Sequence, residues 1–231
     1  MWMNDKYDLA YVHITKCGGT AIRKVLMNAF GGISRGHVET LQHYGVMGHF
    51  QPRLASWQST NIPFAYMWNA HESFMRTQLF SVVRNPYSRL VSAWADMKRK
   101  SYDSSNTLTA DIRKHFNLRR CTFEAFVIAS LVKGVFYNYH WQPQSVFLCR
   151  PNTTMIIPQC VFKLENLLEC QRYLEDRTGT FVTIPQLHTS NHEEWQSYYT
   201  PYLADIVYEY YRQDFNLFGY ERDYAKNQDK S

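Results

Sequence analysis

The segment "HITKCGGT" (13–20) follows an apolar run and opens a helical pattern, and its residue types suit the holding of an anion. Gly18 and Gly19 let backbone N–H groups approach phosphate oxygens closely, Thr20 adds a hydroxyl donor, and Lys16 supplies a compact positive charge. A loop that ends a strand and begins a helix also collects the positive end of the helix dipole. The segment "FSVVRNPYSRLVSAW" (80–94) has the same grammar: Arg84 leaves a strand carrying a planar guanidinium fork, and Ser92 falls in the second turn of the helix that follows.

The order of residues in the first loop argues against one large enzyme class. The P-loop of kinases and ATPases reads G-x-x-x-x-G-K-[ST], with lysine directly after glycine and a hydroxyl on Mg²⁺. Here Lys16 precedes the glycines, so a P-loop kinase is the weaker alternative, and no metal is expected.

The elements that must position these residues can be read from periodicity. "DLAYVHI" (8–14) is a β-rich run, and Ala21, Ile22, Val25, Leu26 and Ala29 recur at helical spacing after the glycines. A second strand at 79–83 leads into a helix with Asn85 as N-cap, Pro86 at its first position and Tyr87, Leu90, Val91 and Trp94 on one stripe. Two strand-to-helix units predict an α/β fold, a P-loop-like three-layer domain with a central parallel sheet flanked by helices. Between them, 44–50 and 64–70 are candidate strands. Farther on, the pattern predicts a helix over 122–132 beginning at Thr122, a strand within 155–167 broken by Pro158, and a helix stopped by Gly179. A last helix starts at Thr200 and Pro201, with Leu203, Ile206, Val207, Tyr210 and Tyr211 facing the core.

Composition bounds the rest. The chain has 231 residues, 45% hydrophobic and 19% charged, which predicts one folded domain over 1–231 with a frayed polar tail at 226–231. A formal charge of +5 suits an anionic small ligand without demanding nucleic acid. The 5 cysteines show no C-x-x-C spacing, which fits free thiols in a reducing compartment. "MWMNDKYD" reads as polar, with no apolar signal-type run, and no stretch approaches the roughly 18 to 20 apolar residues of a membrane helix, so a cytoplasmic protein without a membrane span is expected.

The inverted loop resembles the 5′-phosphosulfate loop of sulfotransferases that use 3′-phosphoadenosine 5′-phosphosulfate (PAPS), in the "HIPKTGGT" form of the heparan-type 2-O and related carbohydrate sulfotransferases. "FSVVRNPYSRLVSAW" is similar to the 3′-phosphate segment of the same families, written "VRNPWDRLVSAY" or "LRDPVERYLS". Weaker echoes follow in order: "NYHWQPQSVFL" (138–148) resembles "HWRPQ", "VFKLENL" resembles "RFENL", and the C-terminal "YYTPYLADIVYEYYRQDFNLFGY" resembles "YYTPEL…VYRRDFELFGY". The resemblance covers most of the chain except 31–77. The sequence departs from it at Thr15, usually Pro, and at Cys17, usually Thr or Ser. A cysteine at a helix N-terminus is a candidate for a lowered pKa and redox sensitivity.

The resemblance implies transfer of a sulfuryl group from PAPS to a hydroxyl or amine of a carbohydrate or small-molecule acceptor. It assigns the donor nucleotide to Lys16, Cys17, Gly18, Gly19, Thr20, Ala21, Arg84 and Ser92, with Lys16 also stabilising the leaving phosphate and Arg89 structural. It implies a histidine base. His49 in "MGHFQP" resembles the "GHFP" segment, His71 in "NAHESF" competes with it, and His43 and the carboxylate of Glu72 stay open. A module of the same fold that binds nucleotide or glycan without catalysis is the other alternative. Oligomeric state is not legible.

Overall fold

A computed structural model of the chain describes residues 1–34, 77–102, 117, 119–134, 138, 140–150, 152–185 and 195–223. The strands are β1 (Trp2–Asn4), β2 (Leu9–Val12), β3 (Ile33–Ser34), β4 (Gln78–Val83) and β5 (Cys160–Lys163). The helices are α1 (Gly19–Phe30), α2 (Pro86–Lys100), α3 (Phe123–Val127), α4 (Ser145–Leu148), α5 (Leu167–Thr178), α6 (Pro201–Tyr210) and α7 (Arg212–Phe218). These elements fall into two compact units, Met1–Arg84 with Gln144–His188 and Asn85–Pro143 with Thr189–Ser231. The candidate strands at 44–50 and 64–70, the four candidate bases and the 226–231 tail lie outside the described residues. Among the described residues no helix is long and apolar enough to cross a membrane.

The first unit holds a sheet of order β3-β1-β2-β4-β5. Its β2-β4-β5 core is parallel, as expected from the two strand-to-helix units. The wholly parallel sheet is corrected at the other edge, where β1 runs antiparallel to β2 and to β3. A tight turn makes this possible: Asn4 Oδ1 accepts from Lys6 N at 3.0 Å, and Asp8 takes a left-handed φ of 48°. Met1, Trp2 and Met3 are buried, so a segment that reads as polar contributes an inner strand. Trp2 Nε1 donates to Gly31 O and Asn4 Nδ2 to Phe30 O, each at 2.8 Å, which pins the end of α1 to this strand.

Leu9, Tyr11, Phe80 and Val82 from one face of the sheet form a single apolar cluster with Ile22 and Leu26 of α1 and Leu167, Cys170 and Leu174 of α5. Ala10, Val12, Leu79, Ser81 and Val83 alternate with them and are also buried, the pattern of strands covered on both faces. The broken strand at 155–167 appears as an isolated Cys149–Ile156 bridge followed by β5. Gly179 ends α5 with a φ of 69°.

The second unit is helical, around an aromatic core. Asn85 caps α2 through its side chain, accepting from Tyr87 N at 2.9 Å, and Pro86 occupies the first helical position. Tyr87, Leu90, Val91 and Trp94 form the buried stripe, joined by Phe123, Phe126, Trp141, Tyr199, Leu203, Val207, Tyr211 and Phe215. The Tyr87 ring stacks on Trp195 with centroids 5.8 Å apart, and Tyr199 donates its hydroxyl to Tyr87 O at 2.9 Å. Arg89 is structural here: its guanidinium is buried and Nη1 donates to Gln142 O at 2.7 Å.

Two helices differ from expectation. The one begun by Thr122 passes into π-helical geometry over Ile128–Val132. The last helix breaks at Tyr211, which is buried and donates to Trp141 O, while Tyr210 is 36% exposed instead of facing the core. One tyrosine taking the core position forces its neighbour outward.

Two outcomes follow from this packing. Removing the cap with Asn85→Ala costs about 1 kcal/mol, a drop of about 2–4 °C in Tm by thermal unfolding, whereas Asn85→Asp, which keeps an acceptor, loses less. Burial pushes the Cys170 thiol from 9.0 up to about 12 and, as the largest cause, the Cys121 thiol from 9.0 up to about 11. The unfolded chain releases these protons near pH 9 and the folded chain keeps them, so stability is intact below about pH 9 and falls as pH rises toward about 12. Urea midpoints that stay constant from pH 8 to pH 10.5 at fixed ionic strength contradict this, and Cys170→Ala shallows the decline.

Candidate functional site

Parallel pairing decides where the two segments expected to bind an anion lie. Val12 of β2 stands opposite Ser81 of β4, and the Ser81 hydroxyl donates to Val12 O at 2.8 Å. Both strands therefore end at the same edge of the sheet, the edge at which open α/β sheets place their ligands. The 13–18 loop leaves one strand there, and Arg84 leaves the other.

Within the loop, Lys16 adopts a φ of 67° and Gly18 a φ of 74°. A left-handed lysine is uncommon, and strain of this kind persists where the surroundings dictate it. Gly18 is the N-cap of α1, which begins with no side-chain cap and no acidic residue in its first turn. Ala21 N and Ile22 N both donate to Gly18 O at 3.1 Å, so helix geometry leaves the amides ahead of them directed at the space before the helix. Thr20 is exposed beside them, and Lys16 is half-buried.

Gly19 also has a packing task. A Cβ at this position would stand 1.7 Å from His13 Cδ2 and 2.1 Å from His13 Nε2. The missing side chain makes room for the His13 imidazole. Below it, the fully buried Tyr11 phenol is held neutral by desolvation, with its ring centroid 6.3 Å from that of His13.

Arg84 is buried to 8% exposure, and its Nη1 donates to Lys16 O at 3.3 Å, so the two expected donor-binding residues meet. Cys17 is wholly buried, and its thiol lies 3.2 Å from Gln144 Oε1 and 3.6 Å from Thr15 O. The expected redox-sensitive thiol is corrected accordingly: Cys17 is a packed donor and is closed to oxidants. Gln144 is the residue that sequence reasoning missed. Its Oε1 also accepts from Arg84 N, and its Nε2 donates to Arg84 O, both at 2.8 Å. The available signal was the "HWQPQ" segment, which carries no chemistry of its own in the sequence.

Ser92 lies half-buried on α2 in the second unit. His49, His71, His43 and Glu72 fall outside the described residues. Among the described residues no group of three or more His, Cys, Asp or Glu side chains is placed to hold a metal ion.

The Gly19–His13 contact has a measurable consequence. Gly19→Ala overpacks the loop and lowers stability by about 1–3 kcal/mol. Adding His13→Ala restores part of that loss in thermal unfolding, and a double variant no more stable than Gly19→Ala alone removes the contact as the cause.

No curated protein and no solved structure matches the chain significantly. The family model described as "Sulfotransferase family" matches residues 1–221, nearly the whole chain, including both candidate segments. The chain therefore belongs to the sulfotransferase family.

Proposed function

We propose that the chain transfers the sulfuryl group of PAPS to a hydroxyl or amine of a carbohydrate or small-molecule acceptor. One observation carries the reading: at one sheet edge, an uncapped helix start and Lys16 adjoin a buried guanidinium that reaches Lys16 O at 3.3 Å. Backbone amides and a helix dipole suit a 5′-phosphosulfate, and an arginine fork suits a second phosphate. PAPS supplies an activated sulfuryl group joined through an oxygen to its 5′-phosphate.

In this reading, the amides of Gly18, Gly19 and Thr20 hold the 5′-phosphate together with the main chain of Cys17, and Ala21 closes the first helical turn beside it through its bond to Gly18 O. Lys16 brings its ammonium to the oxygen on which negative charge develops, a stabilisation that grows as the bond breaks. Arg84 grips the 3′-phosphate, with Ser92 the hydroxyl that the resemblance assigns to the same group. His49 takes the proton from the acceptor oxygen or nitrogen, with His71, Glu72 and His43 next in order. A sulfuryl group carries less charge than a phosphoryl group, so a lysine and amides suffice where a kinase needs a metal. The 5 cysteines are all free thiols, which suits a reducing compartment such as the cytosol.

Thermal shift tests the donor. 3′-Phosphoadenosine 5′-phosphate raises Tm, and ATP with Mg²⁺ at equal concentration does not. Lys16→Ala and Arg84→Ala weaken binding of the bisphosphate, and Lys16→Ala also lowers kcat by about 10²–10³-fold. His49→Ala abolishes turnover while bisphosphate affinity holds; near-normal turnover moves the base to His71. A protein stabilised by the bisphosphate but inert toward every acceptor class is a binding module.

A further inference from the structure

We propose that Gln144 is the positioning residue that fixes the spacing between the two anion-binding points of the donor site, and so sets the preference for an adenosine bearing both phosphates. The inference rests on the donor reading given above.

The argument starts from the strand ladder. β4 pairs with β5 as far as Val83 opposite Lys163, and Arg84 is the next residue. In an extended strand, the N–H and C=O of one residue point the same way and seek a neighbouring strand. The Gln144 side chain supplies that neighbour: its planar amide accepts from Arg84 N and donates to Arg84 O, both at 2.8 Å. A single primary amide thus extends the ladder by one residue, the residue that carries the guanidinium.

The same oxygen reaches the other segment. Gln144 Oε1 lies 3.2 Å from Cys17 Sγ, in the middle of the Lys16–Gly18 turn. A closed circuit results: Cys17 to Gln144, Gln144 to the Arg84 main chain, and the Arg84 guanidinium to Lys16 O. Gln144 is itself fully buried, and its carbonyl accepts from Phe147 N at 3.0 Å, so the start of α4 anchors the clasp. A fully buried amide with satisfied bonds is a rigid spacer, since each bond lost would leave a desolvated group unpaired.

The circuit bears on selectivity more than on affinity. A ligand with one phosphate uses one of the two points, and its binding does not require their separation to be fixed. A ligand with both phosphates gains its full affinity only if the two points already stand at the right distance, because otherwise part of the second contact is spent on ordering the first. Loss of the clasp should therefore fall on the bisphosphate.

The experiment is calorimetric titration of the wild-type protein, Gln144→Met and Cys17→Ala with 3′-phosphoadenosine 5′-phosphate, AMP and 3′-AMP. Gln144→Met keeps the volume and removes every bond of the amide. The expected result is a fall of about tenfold in bisphosphate affinity with less than about threefold for either monophosphate. Cys17→Ala removes the thiol, with its contacts to Gln144 Oε1 and Thr15 O, and leaves the other bonds of the Gln144 amide in place; it shows the same bias at about threefold, which keeps the test decisive if Gln144→Met fails to fold. Losses equal across the three nucleotides, or none at all, overturn the proposal. A wild-type protein that does not prefer the bisphosphate to AMP sinks the donor reading and this inference together, whereas intact wild-type preference with unbiased variants sinks this inference alone.

Discussion

The parallel pairing of β2 with β4 is the constraint on which the first unit depends. Two short apolar strands far apart in the chain lie side by side in register, from Leu9 opposite Gln78 to Val12 opposite Ser81. Because they run the same way, both chains must leave at one edge, and a glycine-containing loop and an arginine become neighbours although nothing in the sequence joins them. A one-residue slip would exchange Tyr11 and Phe80 for Ala10 and Leu79 on the face that carries α1 and α5. The Ser81–Val12 hydrogen bond acts against that slip from inside the sheet.

Polar burial is handled differently in the two units. In the first, Ser81, Arg84, Gln144 and the Cys17 thiol are buried within a few residues of the strand ends, and each has a main-chain or amide partner. In the second, Arg89 and Asp214 are buried as well, and further polar contacts are made at the rims of aromatic rings. Tyr87, Tyr199 and Tyr211 donate their hydroxyls to the carbonyls of Arg222, Tyr87 and Trp141. Desolvation raises the pKa of all three phenols, so they remain neutral donors under ordinary conditions. Such bonds fix the orientation of rings that apolar contact alone would leave free to slide.

What the sequence made legible was local. Caps at Asn85, Thr122 and Thr200 and the stop at Gly179 depend on residues within four positions, and each was read correctly. The strand–loop–helix grammar around Lys16 and the apolar run before Arg84 were legible for the same reason. β1 was not, because three residues cannot display a period, and its burial depends on a turn made by Asn4 and Asp8. The exchange of roles between Tyr210 and Tyr211 was also hidden, since both fit the helical stripe and only the distant Trp141 carbonyl selects one. Gln144 illustrates the general limit. Its partners lie 60 and 127 residues away, and glutamine carries no signature that distinguishes a clasp from a surface amide.

The departure at Cys17 shows how a family pattern can change in its letters and keep its physics. A threonine or serine there would place a hydroxyl donor beside the turn. The cysteine places a thiol, weaker as a donor but content to be wholly buried, and its sulfur still finds Gln144 Oε1. The main-chain amides of the loop do not depend on which side chain stands at this position. In this chain the thiol is turned inward toward the amide that holds Arg84, a direction a hydroxyl could also take.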